Sequence, residues 1–166
     1  MQFLRASWLW THPEHYNRTT GQIRRWGIPS INIGPSGIGK SAAVRAACDS
    51  LFGAQDAMEW CSPAARGEGF FGATPAIGQD VEGNQYLHFP PLRQLTRQGL
   101  RVLFLDEINA ASAALQPYLA GLLLDGVLGS NTVDPKVRIL STGNPAGMGF
   151  SRPLPPQNAN RLVHVA

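Results

Sequence analysis

Two segments of this chain hold side chains whose types and spacing can do chemistry. The first is Gly34-Pro35-Ser36-Gly37-Ile38-Gly39-Lys40-Ser41, which fits the pattern G-x-x-x-x-G-K-[ST] without a mismatch. Glycines allow the backbone to fold into a nest whose N–H groups face one anion. A helix starting near Lys40 adds its positive dipole end to the same point. In such a loop the Lys40 ammonium sits between the β- and γ-phosphates of a nucleotide. The Ser41 hydroxyl completes a Mg²⁺ shell that also takes waters. The whole stretch from Gly34 to Ser41 is therefore the candidate phosphate site.

The second segment is Leu103-Phe104-Leu105-Asp106-Glu107, which sets two carboxylates at the end of an apolar run. Ligands of open parallel sheets sit at that end of the strands. Asp106 is suited to hold the Mg²⁺ shell, directly or through water. Glu107 is suited to polarise a water for in-line attack on the γ-phosphate. Ser141-Thr142-Gly143-Asn144-Pro145 ends the next apolar strand, where the Asn144 carboxamide is placed to orient that water or touch the γ-phosphate. Arg161, just before the last apolar run, is a candidate for an arginine supplied to a neighbouring subunit's phosphate, with Arg152 in reserve. An ordinary surface arginine is the alternative for Arg161.

These groups need strands and helices to place them. Residues 28–33 read as a short strand, followed by the glycine-rich loop and a helix with Val44, Ala47, Cys48 and Leu51 on one face. Gly53 is a stop signal for that helix. Residues 58–62 suggest a second strand. Residues 63–99 are rich in Gly and Pro, with a hairpin in which Glu82-Gly83-Asn84-Gln85 separates Asp80-Val81 from Tyr86-Leu87-His88-Phe89. Val102-Leu103-Phe104-Leu105 predicts a strand buried on both faces. Ser112 is the expected cap of a helix carrying Leu115, Leu119, Leu122 and Leu123, with Pro117 tolerated near its start. Residues 137–142 and 162–165 predict two more strands. Strands alternating with helices predict an α/β fold, a parallel sheet covered on both sides.

Composition narrows the function classes. Hydrophobic residues make up 43% of 166, which argues against disorder, and the length suits one domain. Charged residues are 15%, below the usual value of about 25%. The net charge of +3 comes from scattered arginines, since the only lysines are Lys40 and Lys136. No basic stripe for nucleic acid stands out. Cys48 and Cys61 lie in apolar surroundings without metal spacing and are expected to be reduced and buried. His12 and His15 read as surface residues. The apolar run Phe3–Trp10 is too short and interrupted for a signal peptide or membrane span, so the expected location is cytoplasmic.

Taken together, these motifs resemble the AAA+ ATPases, in particular the MoxR-like and dynein-related branch. Gly34–Ser41 matches the Walker A loop, and Leu103–Asn109, reading LFLDEIN, matches Walker B, with Leu115-Gln116 following as in the family. Asn144 falls at the sensor 1 position and Arg161 at the arginine-finger position, with Leu162 where the family has Phe. The resemblance implies a P-loop NTPase three-layer sandwich with a mostly parallel five-stranded sheet in the order 5-1-4-3-2. The hairpin near residues 80–89 resembles the family's insert facing the ring pore or substrate. It implies ATP and Mg²⁺ as cofactors, a hexameric ring of identical chains, and ATP hydrolysis that remodels a protein client, in some members a von Willebrand A-domain protein. The expected layout is an N-terminal lead-in over residues 1–27 and a P-loop core over residues 28–166. The family's helical lid, with its second sensor arginine, has no counterpart up to Ala166; the expectation is a fragment or a lid supplied elsewhere. Two other functions stay open: a nucleotide-binding scaffold or switch with little turnover, and a DNA-linked motor. The chain has neither the Asn-Lys-x-Asp of many GTPases nor the Leu-Ser-Gly-Gly-Gln of ABC transporters, which leaves guanine specificity by another route open.

Overall fold

The computed structural model describes residues 29–53, 57–72, 74–90, 93–95 and 97–165. The lead-in expected over residues 1–27, with His12 and His15, lies outside the described residues. In chain order the strands are β1 (Ser30–Ile33), β2 (Met58–Cys61), β3 (Ala76–Gln79), β4 (Gln85–His88), β5 (Val102–Leu105), β6 (Val127–Leu128), β7 (Asn131–Thr132), β8 (Arg138–Gly143) and β9 (Val163–Val165). The helices are α1 (Lys40–Phe52), α2 (Pro63–Arg66), α3 (Gln116–Asp125) and α4 (Pro156–Ala159).

The apolar run of β5 decides the layers. All four of its side chains are buried, and successive ones face opposite sides of the sheet. Val102 and Phe104 pack with Val44 and Cys48 of α1 and with Leu140 of β8. Leu103 and Leu105 pack on the other side with Leu119, Leu122 and Leu123 of α3 and with Ile139. One sheet therefore separates two apolar cores, and each fully buried Leu or Phe in them contributes about 1.5–3 kcal/mol. The sheet has five strands in the order β2-β5-β8-β1-β9. All four pairings are parallel. Counting only these strands along the chain and reading from β9, the order is the expected 5-1-4-3-2. The fold is the expected α/β three-layer sandwich.

Both core helices end in a glycine whose backbone is left-handed, Gly53 after α1 and Gly126 after α3. Val44 and Cys48 are buried as the helical period requires, but Leu51 is exposed and lines a cavity at the start of β2 and β5. Ser112 does not cap α3 itself. Its Oγ accepts from the Leu115 N–H at 3.3 Å, within the turn before the helix begins at Gln116. Pro117 stands in the first turn, where its missing N–H costs no helical bond.

The hairpin expected near residues 80–89 is present, with its turn set by Asp80. The Asp80 Oδ1 accepts from the Glu82 and Asn84 N–H groups at 3.0 and 2.8 Å, so Asp80 and Val81 belong to the turn rather than to a strand. These bonds, led by that from the Asn84 side chain, hold the Asp80 carboxyl below its ordinary range. A second hairpin, β6–β7, closes through Gly129-Ser130. A Cβ at Gly129 would stand 1.8 Å from the Phe89 carbonyl oxygen, so only glycine fits there. The Ser130 N–H donates to that oxygen at 2.7 Å, and the Ser130 Oγ accepts from the Phe89 N–H, also at 2.7 Å. The first hairpin is thus pinned to the second.

Cys48 and Cys61 are free and buried, as expected. Burial pushes their thiols up to about 11 and about 12, which keeps both protonated and unreactive at neutral pH. No helix among the described residues is long and apolar enough to cross a membrane.

Candidate functional site

Three parallel strands deliver the chemistry to one end of the sheet. Ile33 pairs with Gly143, and Leu105 pairs with Ser141. The residues that follow these strands, Gly34, Asp106 and Asn144, therefore leave the sheet on the same side. A cleft of about 250 Å³ opens there between Ser36, Gly37 and Gly39 of the loop, the first three residues of α1, and Asp106, Glu107 and Asn144.

The loop geometry follows from its glycines. Gly37 and Gly39 adopt φ of 83° and 89°, a left-handed backbone that other residues reach only at a cost of about 1–2 kcal/mol. A Cβ at either would meet nothing within 4 Å, so backbone conformation and not space selects glycine there. Gly39 ends the loop at the first turn of α1, which has no side-chain cap and no acidic residue. The helix start therefore offers N–H groups and a positive dipole end to an anion in the cleft.

Lys40 lies back along the loop. Its Nζ donates to the Gly34 and Pro35 carbonyls at 2.7 and 2.8 Å and to the Asn144 Oδ1 at 3.1 Å. The other end of the Asn144 carboxamide, Nδ2, donates to the Glu107 Oε1 at 2.9 Å. One carboxamide thus joins the ammonium of the loop to the second carboxylate of β5. Ser41 stands one residue on, and its Oγ lies 3.0 Å from both oxygens of Asp106.

Glu107 is the single non-glycine residue with positive φ among the described residues, at φ 54° and ψ 46°. That conformation turns the chain sharply after β5 and carries the side chain across to Asn144, and such strain persists only where neighbours fix it. The fixing group is Thr142, fully buried in β8. Its Oγ1 accepts from the Glu107 N–H at 3.2 Å and donates to the Asp106 Oδ1.

Asn144 is itself clamped. The Asn109 Nδ2 donates to the Asn144 carbonyl at 2.7 Å, and the Asn144 N–H donates to the Asn109 Oδ1 at 3.3 Å. A Cβ on Gly143 would come within 2.9 Å of that same oxygen, so the glycine leaves room for the clamp.

Lys40, Ser41, Asp106, Glu107 and Asn144 are thus brought together with the loop from Gly34 to Gly39. Arg161 is not. The pairing of Val163 with Ser30 puts it at the opposite end of the sheet, where its Nη1 donates to the Ala120 carbonyl of α3 at 2.9 Å. Arg152 is exposed, and its N–H is held by the Asn109 carbonyl at 3.0 Å. Thr142, Asn109 and Trp60 complete the surroundings without having been singled out in the sequence. For Thr142 the available signal was a hydroxyl inside an apolar strand two residues before Asn144. Trp60 reaches the site only through strand register.

A Mg²⁺ ion needs hard oxygen donors and keeps several waters, in place of a dedicated cage of side chains. The Ser41 hydroxyl beside the Asp106 carboxylate fits that demand. Among the described residues no group of three or more His, Cys, Asp or Glu forms a cage for a metal.

Compared with protein-family models and with curated proteins, the chain finds no significant match. Its sheet order and crossovers are of the P-loop NTPase-like class, which is consistent in general terms with binding and hydrolysing a nucleoside triphosphate.

Proposed function

We propose that this cleft binds the triphosphate of ATP with Mg²⁺ and hydrolyses it, and that residues 28–166 are the core domain of an AAA+ ATPase of the MoxR-like and dynein-related branch. The observation that carries the proposal is the convergence of Lys40, Ser41, Asp106, Glu107 and Asn144 around one cleft at the start of α1.

In this reading the loop from Gly34 to Gly39 wraps the phosphates with backbone N–H groups, and Lys40 swings from its own loop carbonyls onto the β- and γ-phosphates. Ser41 and Asp106 hold Mg²⁺, which when bound supplies positive charge to the phosphate oxygens. Asn144 exchanges its bond with Lys40 for the γ-phosphate or the attacking water. Glu107 then takes a proton from that water as it attacks in line.

Arg161 fits the role of a group offered to the next subunit. Its place at the far end of the sheet keeps it from its own cleft, and to serve a neighbour's in a ring of identical chains it would exchange its bond to the Ala120 carbonyl for that phosphate. A ring that couples turnover to remodelling of a protein client is the assembly this arrangement suits, with residues 1–27 as its lead-in.

The test is Glu107→Gln. The amide keeps the size of the side chain and an acceptor for the Asn144 Nδ2, but it cannot take a proton. ATP binding should survive while hydrolysis falls by about 10²–10⁴-fold. Turnover at the unsubstituted rate would remove Glu107 from the mechanism.

A further inference from the structure

Asp106 has a third donor that the phosphate chemistry above does not use. The indole N–H of Trp60, in β2, donates to the Asp106 Oδ2 at 3.2 Å. Over the ring of Trp60 stands the guanidinium of Arg45, 5.1 Å from the centroid. Arg45 lies four residues after Ser41 on α1, so the two share a helix face. That face therefore sets a hydroxyl against Asp106 and a cation against the ring that holds Asp106. Trp60 also pairs with Phe104 in the register of β2 and β5, which places its side chain on the α1 side of the sheet.

The types of these donors matter. A hydroxyl such as that of Ser41 can hold a cation through its oxygen, whereas an indole N–H only donates. Trp60 therefore cannot ligate a metal. It can only occupy one lone pair of Oδ2 and fix which way the carboxylate plane turns. A bond to a charged group is stronger than one between neutral groups, and a ring held by a guanidinium pays little further ordering to make it. Trp60 is 38% exposed, so its bond to Asp106 is partly open to solvent.

We infer that Trp60, braced by Arg45, is a positioning residue for Asp106: it presets the carboxylate toward Ser41 and so sets how much Mg²⁺ the site needs to hold a nucleotide. The inference rests on the nucleotide reading of the cleft.

The test is Trp60→Phe, which keeps an aromatic ring for Arg45 to cover and removes the indole N–H along with the second ring. MgCl₂ is titrated into the 166-residue chain and its variant at a fixed concentration of ATPγS, followed by calorimetry and by tryptophan fluorescence. The midpoint in Mg²⁺ should rise about five- to tenfold, somewhat under the full value of one hydrogen bond to a charge because the ring is partly exposed. ATPγS affinity in excess EDTA should stay unchanged. The unsubstituted chain should show an Mg²⁺-dependent emission change that is absent from the variant, in which Trp8, Trp10 and Trp26 remain. An equal midpoint in both proteins overturns the inference and leaves nucleotide binding standing. An equal loss of affinity with and without Mg²⁺ also overturns it, since that would mark a merely structural role. Failure of both proteins to bind ATPγS overturns the nucleotide reading and this inference together.

Discussion

The two ends of the central sheet carry two cavities of opposite character. At the start of β2 and β5 lies the larger one, about 710 Å³, lined by Leu51, Phe52, Ala57 and the stretch around Arg97 and Arg101. At the far end of the strands lies the smaller cleft, about 250 Å³. The larger cavity holds arginines, yet Arg97 is tied to the Glu59 carboxylate at 2.6 Å and to the Met58 carbonyl at 3.1 Å. The Arg97 guanidinium thus faces the protein and not the cavity. In the smaller cleft the loop glycines, the start of α1, an ammonium, a hydroxyl and two carboxylates face a common space. Convergence, not volume, separates a site from a surface hollow.

Substitutions at the two ends should behave accordingly. Thr142→Val should have the larger effect. It removes the hydroxyl that donates to Asp106 and leaves the Glu107 N–H without its acceptor inside a strained turn. We expect a loss of about 1–3 kcal/mol in urea unfolding, the cost of an unmet buried polar group. ATP turnover should fall with it, because both carboxylates lose their support. Normal turnover in a stably folded Thr142→Val protein would mean that the two acids do not depend on β8.

Arg97→Ala should do less and do it differently. The pair with Glu59 is partly exposed, at 26% and 16% for the two side chains, so its loss should cost about 1 kcal/mol or less. Nucleotide affinity should not move. If it did, the two ends of the sheet would be coupled and not independent.

Much of the frame was legible because its signals are local. The β5 strand announces itself by four consecutive apolar residues, and β8 and β9 were placed to within a residue. The glycine loop is fixed by backbone freedom at Gly37 and Gly39 and by the lysine and hydroxyl that follow. Other features depend on what lies across the sheet. Trp60 meets Asp106 only because β2 runs parallel to β5 in one register, and Asn109 meets Asn144 only because the turn after β5 folds under the end of β8. Leu51 fits the apolar period of α1 but lies beside the cavity at the start of β2 and β5, where it stays exposed. The β6–β7 hairpin has a local signal in Gly129-Ser130, but each of its strands is only two residues long, too short to show a strand period.

In the proposed function everything depends on Lys40 and its loop holding a triphosphate. Calorimetric titration of the unsubstituted chain and of Lys40→Ala with ATPγS in the presence of Mg²⁺ tests it most directly. The unsubstituted chain should bind, and the variant should lose about tenfold or more in affinity, the value of one charge-assisted contact to phosphate. Equal affinities, or no heat of binding from the unsubstituted chain, would contradict it.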